Sequence, residues 1–344
     1  MSEETVAQQP LVSFKHLSKF FSVDTNLFGR TTSLLKAVDD LSFDIYPRET
    51  FGLVGESGCG KTTVGKLLVS LYTPTAGEIW YEGQDLAKLT KKARRARHRD
   101  IQLIFQDPYS SLNPRMTVGD IISEPIRVNK LVPADKVEDR VSYLLNAVGL
   151  SANSKNRFAH EFSGGQRQRV GIARALAMEP KLIVCDEPVS ALDVSIQAQV
   201  LNLLSDLSDE FGLTYLFIAH GLNVVKHVSD RVGVMYLGRL VEVAPKRELY
   251  RNPLHPYTKA LLSAIPVTNP ARRKERILLE GTVSSPIDPP PGCRFSGRCY
   301  AKGDCTACAC DTEMPELVEV SPGHFVSCYL FGEQGDIVRG AVRG

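Results

Sequence analysis

The chain has 344 residues, a length that allows two domains or one large domain with an appendage. Hydrophobic residues make up 43% of it, which is ordinary for a globular protein. Its 41 basic and 39 acidic residues give a formal net charge of +2, which favours neither a nucleic-acid binder nor a binder of acidic partners. No apolar run approaches the roughly 18 residues that span a bilayer, and the N-terminus lacks the pattern of a signal peptide. We therefore expect a cytoplasmic protein, soluble or peripheral to a membrane.

The N-terminal region is predicted to start with a disordered lead at residues 1–10. A strand follows from Leu11 to Phe21. An aromatic ring at its end could stack on a nucleotide base or could simply pack against the protein, and the spacing does not decide between the two. Residues 22–35 are predicted to form a loop. The imperfect alternation from Leu35 to Ile45 predicts a half-buried strand.

The segment from Gly55 to Thr62, Gly-Glu-Ser-Gly-Cys-Gly-Lys-Thr, fits the phosphate-loop template G-x-x-x-x-G-K-[ST] between a predicted strand and a predicted helix. Its glycines let backbone N–H groups surround phosphates, Lys61 supplies a positive charge, and the Thr62 hydroxyl can bind Mg²⁺. An ordinary glycine-rich turn is disfavoured by the Lys-Thr ending. The predicted nucleotide-binding residues here are Gly55, Ser57, Gly58, Cys59, Gly60, Lys61, Thr62 and Thr63.

Polar residues at strand ends extend this prediction. Gln106 follows a predicted strand and could bind Mg²⁺ or orient water, although it could also be an ordinary loop amide. Asp186 and Glu187 follow a continuous apolar strand. One carboxylate can hold Mg²⁺, and the other can accept a proton from the attacking water or orient it. His220 follows the next strand and can reach the same terminal phosphate.

A helical pattern runs from Val118 to Met178 and predicts a subdomain inserted into the α/β core. Just before its last helix, Ser163 is a natural N-cap residue, and Gly164 and Gly165 expose backbone N–H groups. This helix start is a second predicted anion-binding terminus.

In this order, the phosphate loop, Gln106, Phe162-Ser-Gly-Gly-Gln166, Asp186-Glu187, Ser190-Ala-Leu-Asp193 and His220 resemble the ATP-binding subunits of ABC transporters. The resemblance implies an α/β fold, namely a P-loop NTPase ABC ATP-binding domain at residues 11–250. This domain would have a RecA-like core, an antiparallel β subdomain and a helical subdomain at about residues 110–178. Two departures are Phe162, where the family more often has Leu, and Gly221, where it usually has an acidic residue.

The segment Phe162–Gln166 matches the signature sequence of this family. The resemblance also implies a head-to-tail dimer with ATP held between one subunit's phosphate loop and the partner's signature. By this resemblance, Phe21 would stack on adenine, Asp186 would bind Mg²⁺ together with Thr62, and Glu187 would be the general base. Gln106 would be a Mg²⁺ or water ligand that also senses the membrane subunits, and His220 would contact the γ-phosphate. The signature residues that would act on the neighbour's ATP are Ser163, Gly164, Gly165 and Gln166.

The tail, residues 251–344, resembles the C-terminal region of oligopeptide/dipeptide importers, and the chain is most similar to their F-type ATPase. The implied function is ATP hydrolysis that powers peptide import at the cytoplasmic face of the bacterial inner membrane. The implied partners are a homologous D-type ATPase, two transmembrane permease subunits and, indirectly, a solute-binding protein. A nickel or glutathione importer is an alternative, and a soluble ABC ATPase of translation or DNA repair is a more remote one.

The tail also holds six of the eight cysteines, which in a reducing cytoplasm indicates metal ligation more than disulfides. In some members of the importer group such cysteines hold a [4Fe–4S] cluster. Cys293, Cys299 and Cys328 match that pattern, and the fourth ligand would be Cys305 or Cys310. Tetrahedral Zn²⁺ is the alternative, because Cys305 and Cys308 also have zinc-site spacing and could bind it with further cysteines and His324. Free thiols without a metal are the third interpretation.

Overall fold

In the part of the chain that the structure describes, the strands form two β-sheets. The computed structural model describes residues 9–25, 31–107, 109, 111–265, 275–282, 284–304 and 309–331. Most of the predicted lead at residues 1–10 lies outside the described residues, and so does Cys305.

Strands and helices are interspersed along the chain, as expected of an α/β protein. The strands are β1 (Val12–Thr25), β2 (Thr31–Ile45), β3 (Thr50–Val54), β4 (Ala76–Tyr81), β5 (Gln84–Asp85), β6 (Ile101–Ile104), β7 (Leu182–Asp186), β8 (Thr214–Ala219), β9 (Arg231–Tyr236), β10 (Arg239–Pro245), β11 (Val318–Ser321) and β12 (His324–Val326). The helices are α1 (Lys61–Leu68), α2 (Lys91–Asp100), α3 (Val118–Asn129), α4 (Val137–Ala147), α5 (Gly164–Leu176), α6 (Val194–Phe211), α7 (Leu222–Val228), α8 (Lys246–Arg251) and α9 (Pro256–Ser263).

The smaller sheet is antiparallel, with strand order β2-β1-β4-β5. The predicted loop at residues 22–35 was wrong at both ends, because β1 continues to Thr25 and β2 begins at Thr31. Several register shifts interrupt the pairing of these two strands. Each shift breaks the two-residue alternation of side chains by which a strand is recognised in a sequence.

The larger sheet has eight strands in the order β11-β12-β10-β9-β3-β8-β7-β6. The five strands from β9 to β6 are parallel, whereas β10, β12 and β11 pair antiparallel at one edge. Strands β3, β7 and β8 are buried along their whole length, as expected for parallel strands covered on both faces. The hairpin β11–β12 comes from the tail, so the tail extends the central sheet.

Two hydrophobic clusters cover the two faces of this sheet. One joins it to the smaller sheet and includes a stack of Phe14, Phe43 and Phe51 with ring centroids 4.5 and 4.6 Å apart. The other packs α3, α4 and α5, which lie between β6 and β7 in the chain, with the opposite face. Within the described ranges, no helix is both long enough and apolar enough to cross a membrane.

Candidate functional site

The phosphate loop lies between the buried strand β3 and the helix α1, as the motif requires. Gly58 and Gly60 adopt positive φ angles of 78° and 105°, which favour glycine. A Cβ atom on Gly60 would lie 1.9 Å from the carbonyl oxygen of Ala37 in β2. At this position the loop therefore passes too close to β2 to carry a side chain. The glycines thus give the loop its shape at the start of α1.

Lys61 is buried and folds back over the loop. Its Nζ donates hydrogen bonds to the carbonyl oxygens of Gly55 and Glu56, at 2.8 and 2.9 Å. Cys59 is also buried, and burial raises the pKa of its thiol although Lys61 opposes the shift. The exposed part of the loop is Ser57-Gly58, and Thr63 is half-buried in the first turn of α1. The lysine therefore lies in the concave interior of the loop.

Thr62 and Asp186 form the second part of the site. The Thr62 Oγ1 donates a hydrogen bond of 2.9 Å to Asp186 Oδ1 at the end of β7. Burial raises the pKa of Asp186, an effect opposed by the Thr62 hydrogen bond and by the nearby lysines. A hydroxyl and a carboxylate oxygen this close together are the hard oxygen donors that suit Mg²⁺, so these two residues fit the predicted ion.

Glu187 is the centre of the third part. Its Oε2 accepts a hydrogen bond of 2.7 Å from Gln106 Nε2 and lies 2.6 Å from His220 Nε2. The Glu187 side chain is only 5% exposed, whereas that of His220 is 44% exposed. Because β6, β7 and β8 are parallel neighbours, residues at or just after their ends meet at one edge of the sheet.

The backbone also fixes Glu187. Its φ of 48° is left-handed, which is uncommon for a residue other than glycine. Its N–H donates to the carbonyl oxygen of Ile218 in β8 at 3.0 Å, and its own carbonyl oxygen accepts from the Ser190 hydroxyl at 3.1 Å. This strained conformation directs the carboxylate to the sheet edge.

Ser163 caps α5, as its sequence position predicts. Its hydroxyl accepts the N–H of Gln166, and the Gln166 side chain accepts the N–H of Ser163, which completes a capping box. Gly165 lies against α6, where an added Cβ would be 2.4 Å from the Ile196 side chain. Among the described residues, no hydrogen bond or ion pair joins residues 163–166 to the chain's own phosphate loop. The structure thus does not bring the signature into this half of the site.

Phe21 lies near the far end of α1 and is half-buried in β1. Its ring meets that of Tyr72 edge-on, with centroids 5.4 Å apart, and the Lys19 amine lies 5.1 Å from the Phe21 centroid. Tyr72 was not predicted from the sequence. It lies four residues after the end of α1.

The tail contacts the phosphate loop, which motif reasoning missed. The Tyr257 hydroxyl accepts the N–H of Glu56 at 3.0 Å, and Arg298 Nη1 lies 3.2 and 3.1 Å from the two carboxylate oxygens of Glu56. Glu56 and Arg298 are 242 residues apart in the chain, so no local pattern relates them.

The predicted cysteine cluster is not supported by the described part of the tail. The N–H of Cys293 donates to the carbonyl oxygen of Cys310 at 2.7 Å, and Cys299 and Cys328 both lie near Tyr300. No group of three or more His, Cys, Asp or Glu residues in the described ranges could hold a metal ion. The described thiols alone therefore form no such group, and Cys305 and Cys308 lie outside the described residues.

Comparison with known proteins decides the family. The family model described as ABC transporter matches residues 38–190, and the model described as oligopeptide/dipeptide transporter, C-terminal region, matches residues 241–305. The oligopeptide transport ATP-binding protein AppF of Bacillus subtilis is 50% identical over 327 residues, which cover 94% of this chain and 98% of AppF. This chain belongs to the oligopeptide/dipeptide ABC transporter ATP-binding proteins. A second relative in this ABC family, the dipeptide transport ATP-binding protein DppF of Escherichia coli, is 46% identical over 329 residues, with 95% and 96% of the two chains covered.

Solved ABC structures share the fold. The dimeric post-hydrolysis structure of the ATP-binding cassette MJ0796, bound to ADP and Pi, has a TM-score of 0.61 at 26% identity and covers 69% of this chain. The cassette cbiO1 of Clostridium perfringens has a TM-score of 0.62, also at 26% identity, over 71% of this chain. These findings confirm the predicted α/β ABC fold. As an ABC transporter ATP-binding protein, the chain is an ATPase.

Proposed function

We propose that this chain hydrolyses ATP to power the import of peptides through an ABC transporter. The observation that carries the chemistry is the meeting of Gln106, Glu187 and His220 at the sheet edge that also holds the phosphate loop. The names of the relatives AppF and DppF, and the family match of the tail, support a peptide as the solute.

ATP binding is assigned to the phosphate loop and α1. Lys61 would exchange its bonds to loop carbonyl groups for the terminal phosphates, while loop N–H groups bind the remaining phosphate oxygens. Thr62 and Asp186 would hold Mg²⁺, which when bound offsets the phosphate charge. Phe21, with Tyr72 beside it, would offer a ring surface to the adenine base.

Hydrolysis is assigned to Glu187 as the general base. Its carboxylate can take a proton from a water that attacks the γ-phosphate, and Gln106 and His220 hold the Oε2 atom in place. The exposed His220 can also donate a hydrogen bond to the γ-phosphate. Positioning and charge stabilisation supply most of the rate enhancement in phosphoryl transfer, so a fixed carboxylate suits this reaction.

The signature would complete the site from a second subunit. Ser163, Gly165 and Gln166 lie at the start of α5, and the N-terminus of a helix favours an anion. Because they do not bind their own phosphate loop, we assign them to ATP on a neighbour in a head-to-tail dimer. The dimeric state of the MJ0796 cassette supports a dimer of such subunits.

The proposed complex lies at the cytoplasmic face of the membrane. Its further components are a homologous D-type ATPase, two transmembrane permease subunits and, indirectly, a solute-binding protein. Affinity purification of the chain from mildly solubilised membranes tests this assembly. Two multi-span proteins and a second ATPase should co-purify, and the reconstituted complex should take up peptide only with ATP. A purely soluble set of partners, or uptake of nickel or glutathione but not of oligopeptides or dipeptides, would contradict the proposal.

A metal in the tail is a separate proposal, supported by the spacing of the cysteines and independent of the hydrolytic site. Iron–sulfur is favoured over zinc. Protein purified without oxygen should contain iron with acid-labile sulfide, or zinc. Its absence in such a preparation would remove the metal and leave the ATPase assignment unchanged.

A further inference from the structure

Two residues of the C-terminal extension, Tyr257 and Arg298, contact Glu56 of the phosphate loop. Tyr257 binds its backbone and Arg298 binds its side chain. We propose that the extension sets the affinity of the nucleotide site through Arg298, whose guanidinium offsets the Glu56 carboxylate beside the phosphates. Arg298 is thus a positioning and charge-balancing residue, and the proposal rests on the phosphate loop being the ATP site.

Glu56 places a negative charge in a loop that binds a polyanion. Between Gly55 and Thr62 the side chains carry one acid, Glu56, and one base, Lys61, so the loop alone is formally neutral. An uncompensated carboxylate there would repel the triphosphate. Arg298 adds the second positive charge, which leaves the attraction of Lys61 for the phosphates largely unopposed.

The pair is close and partly shielded from water. Arg298 Nη1 lies 3.2 and 3.1 Å from the two Glu56 oxygens, and the side chains are 12% and 29% exposed. The same nitrogen lies 3.4 Å from the Tyr236 hydroxyl, which orients the guanidinium. A pair with so little exposure interacts more strongly than an ion pair on an open surface.

The extension is anchored firmly enough to hold Glu56. Tyr257 is fully buried, and its ring centroid lies 4.7 Å from that of Tyr236 and 5.5 Å from that of Phe295. Arg294, one residue before Phe295, is buried and pairs with Asp39 of β2. Both the backbone and the side chain of Glu56 are therefore fixed to a well-packed support.

ATP binding by the full-length chain, measured at equilibrium with Mg²⁺, tests the proposal. Arg298→Met should raise the Kd for ATP about fivefold, because Glu56 then repels the phosphates. Arg298→Lys keeps the charge and should stay close to the unaltered protein. The double variant Glu56→Gln/Arg298→Met removes both charges and should also return close to it. Arg251→Met, an exposed arginine at the end of α8, is the matched control and should leave the Kd unchanged.

Ionic strength separates a charge effect from a packing effect. The weakening caused by Arg298→Met should shrink between 0.05 and 1 M salt, as the screening length falls to about 3 Å. If Arg298→Lys is as weak as Arg298→Met, or the double variant is not rescued, or salt has no effect, the proposal is overturned. Unaltered protein that binds no ATP would instead refute the proposed function, so the two failures are distinguishable.

Discussion

His220 Nε2 lies 2.6 Å from Oε2 of Glu187, across the carboxyl ends of the adjacent parallel strands β8 and β7. Gln106, after β6, contacts the same oxygen at 2.7 Å. One carboxylate oxygen is thus held from both neighbouring strands. Within the part of the chain that the structure describes, the other oxygen accepts no hydrogen bond, so it can face a water molecule, which suits a base that must be positioned before it can act.

Replacing Glu187 with Gln should stop hydrolysis and leave ATP binding intact. The amide has nearly the same shape but cannot take a proton, so kcat should fall by about 10² to 10⁴. Steady-state ATPase activity of the assembled transporter gives kcat, and equilibrium binding gives the Kd for ATP. Unchanged turnover in this variant would defeat the assignment of Glu187.

Replacing His220 with Ala should lower kcat by about tenfold to a hundredfold. The histidine supports the Glu187 oxygen and can donate to the γ-phosphate, so its loss weakens both interactions. ATP affinity should change far less, because the phosphate loop is untouched. His227→Ala, in the last turn of α7, provides a histidine control that should retain full activity. Equal losses in the two variants would argue against a specific role for His220.

Much of the fold and of the candidate site could be predicted because both depend on local patterns. The phosphate loop is one short motif, and the polar residues after β6, β7 and β8 each follow a recognisable apolar run. Parallel strands bring their carboxyl ends to one edge, so Gln106, Glu187 and His220 could be expected to meet.

The tail could not be placed in this way. The hairpin β11–β12 pairs with β10, and Arg298 reaches Glu56 across 242 residues of chain. Neither contact leaves a periodic signal in the sequence, because both depend on how distant segments pack. The cysteines had the opposite effect, since their spacing suggested a ligand group that the described part of the tail does not form.

Replacing Thr62 with Ala should raise the Mg²⁺ concentration that gives half-maximal ATPase activity by about tenfold. The variant loses the hydroxyl that now donates to Asp186 at 2.9 Å and would bind the ion. Thr62→Ser keeps the hydroxyl and should behave like the unaltered protein. A Mg²⁺ titration of activity at fixed ATP provides the measurement. The same Mg²⁺ requirement in the Ala and Ser variants would contradict the assignment.

His255 should make the protein less stable as the pH falls from about 6.5 to 4. Its Nδ1 accepts the Tyr257 N–H at 3.0 Å, and burial lowers its pKa to about 4, while Glu242 raises this pKa and Lys259 lowers it. In this window the unfolded chain binds a proton that the folded chain does not. The contribution of neutral His255 to stability is therefore fully present above pH 6.5. Below that pH its loss lowers the free energy of unfolding by at most about 1.4 kcal/mol per pH unit.

His255→Asn isolates this contribution. The amide oxygen can still cap α9 but does not titrate. Urea unfolding from pH 4 to 7.5 should show a smaller loss of stability in this variant than in the unaltered protein. Parallel pH profiles for the two proteins would mean that His255 does not titrate on unfolding.

Replacing Glu242 with Ala should lower the free energy of unfolding by about 3 to 5 kcal/mol. Its fully buried carboxylate accepts the N–H groups of Leu254 and His255, at 2.8 and 2.9 Å, and lies 2.8 Å from His324 Nε2. It thus connects β10 to both α9 and β12, and its loss leaves three buried polar groups without an acceptor.

Glu242→Gln keeps one acceptor oxygen and should lose less stability, whereas Glu316→Ala removes an exposed carboxylate and should lose almost none. Urea unfolding gives the three values, and similar losses for Glu242→Ala and Glu316→Ala would show that the buried carboxylate does not hold the tail to the central sheet.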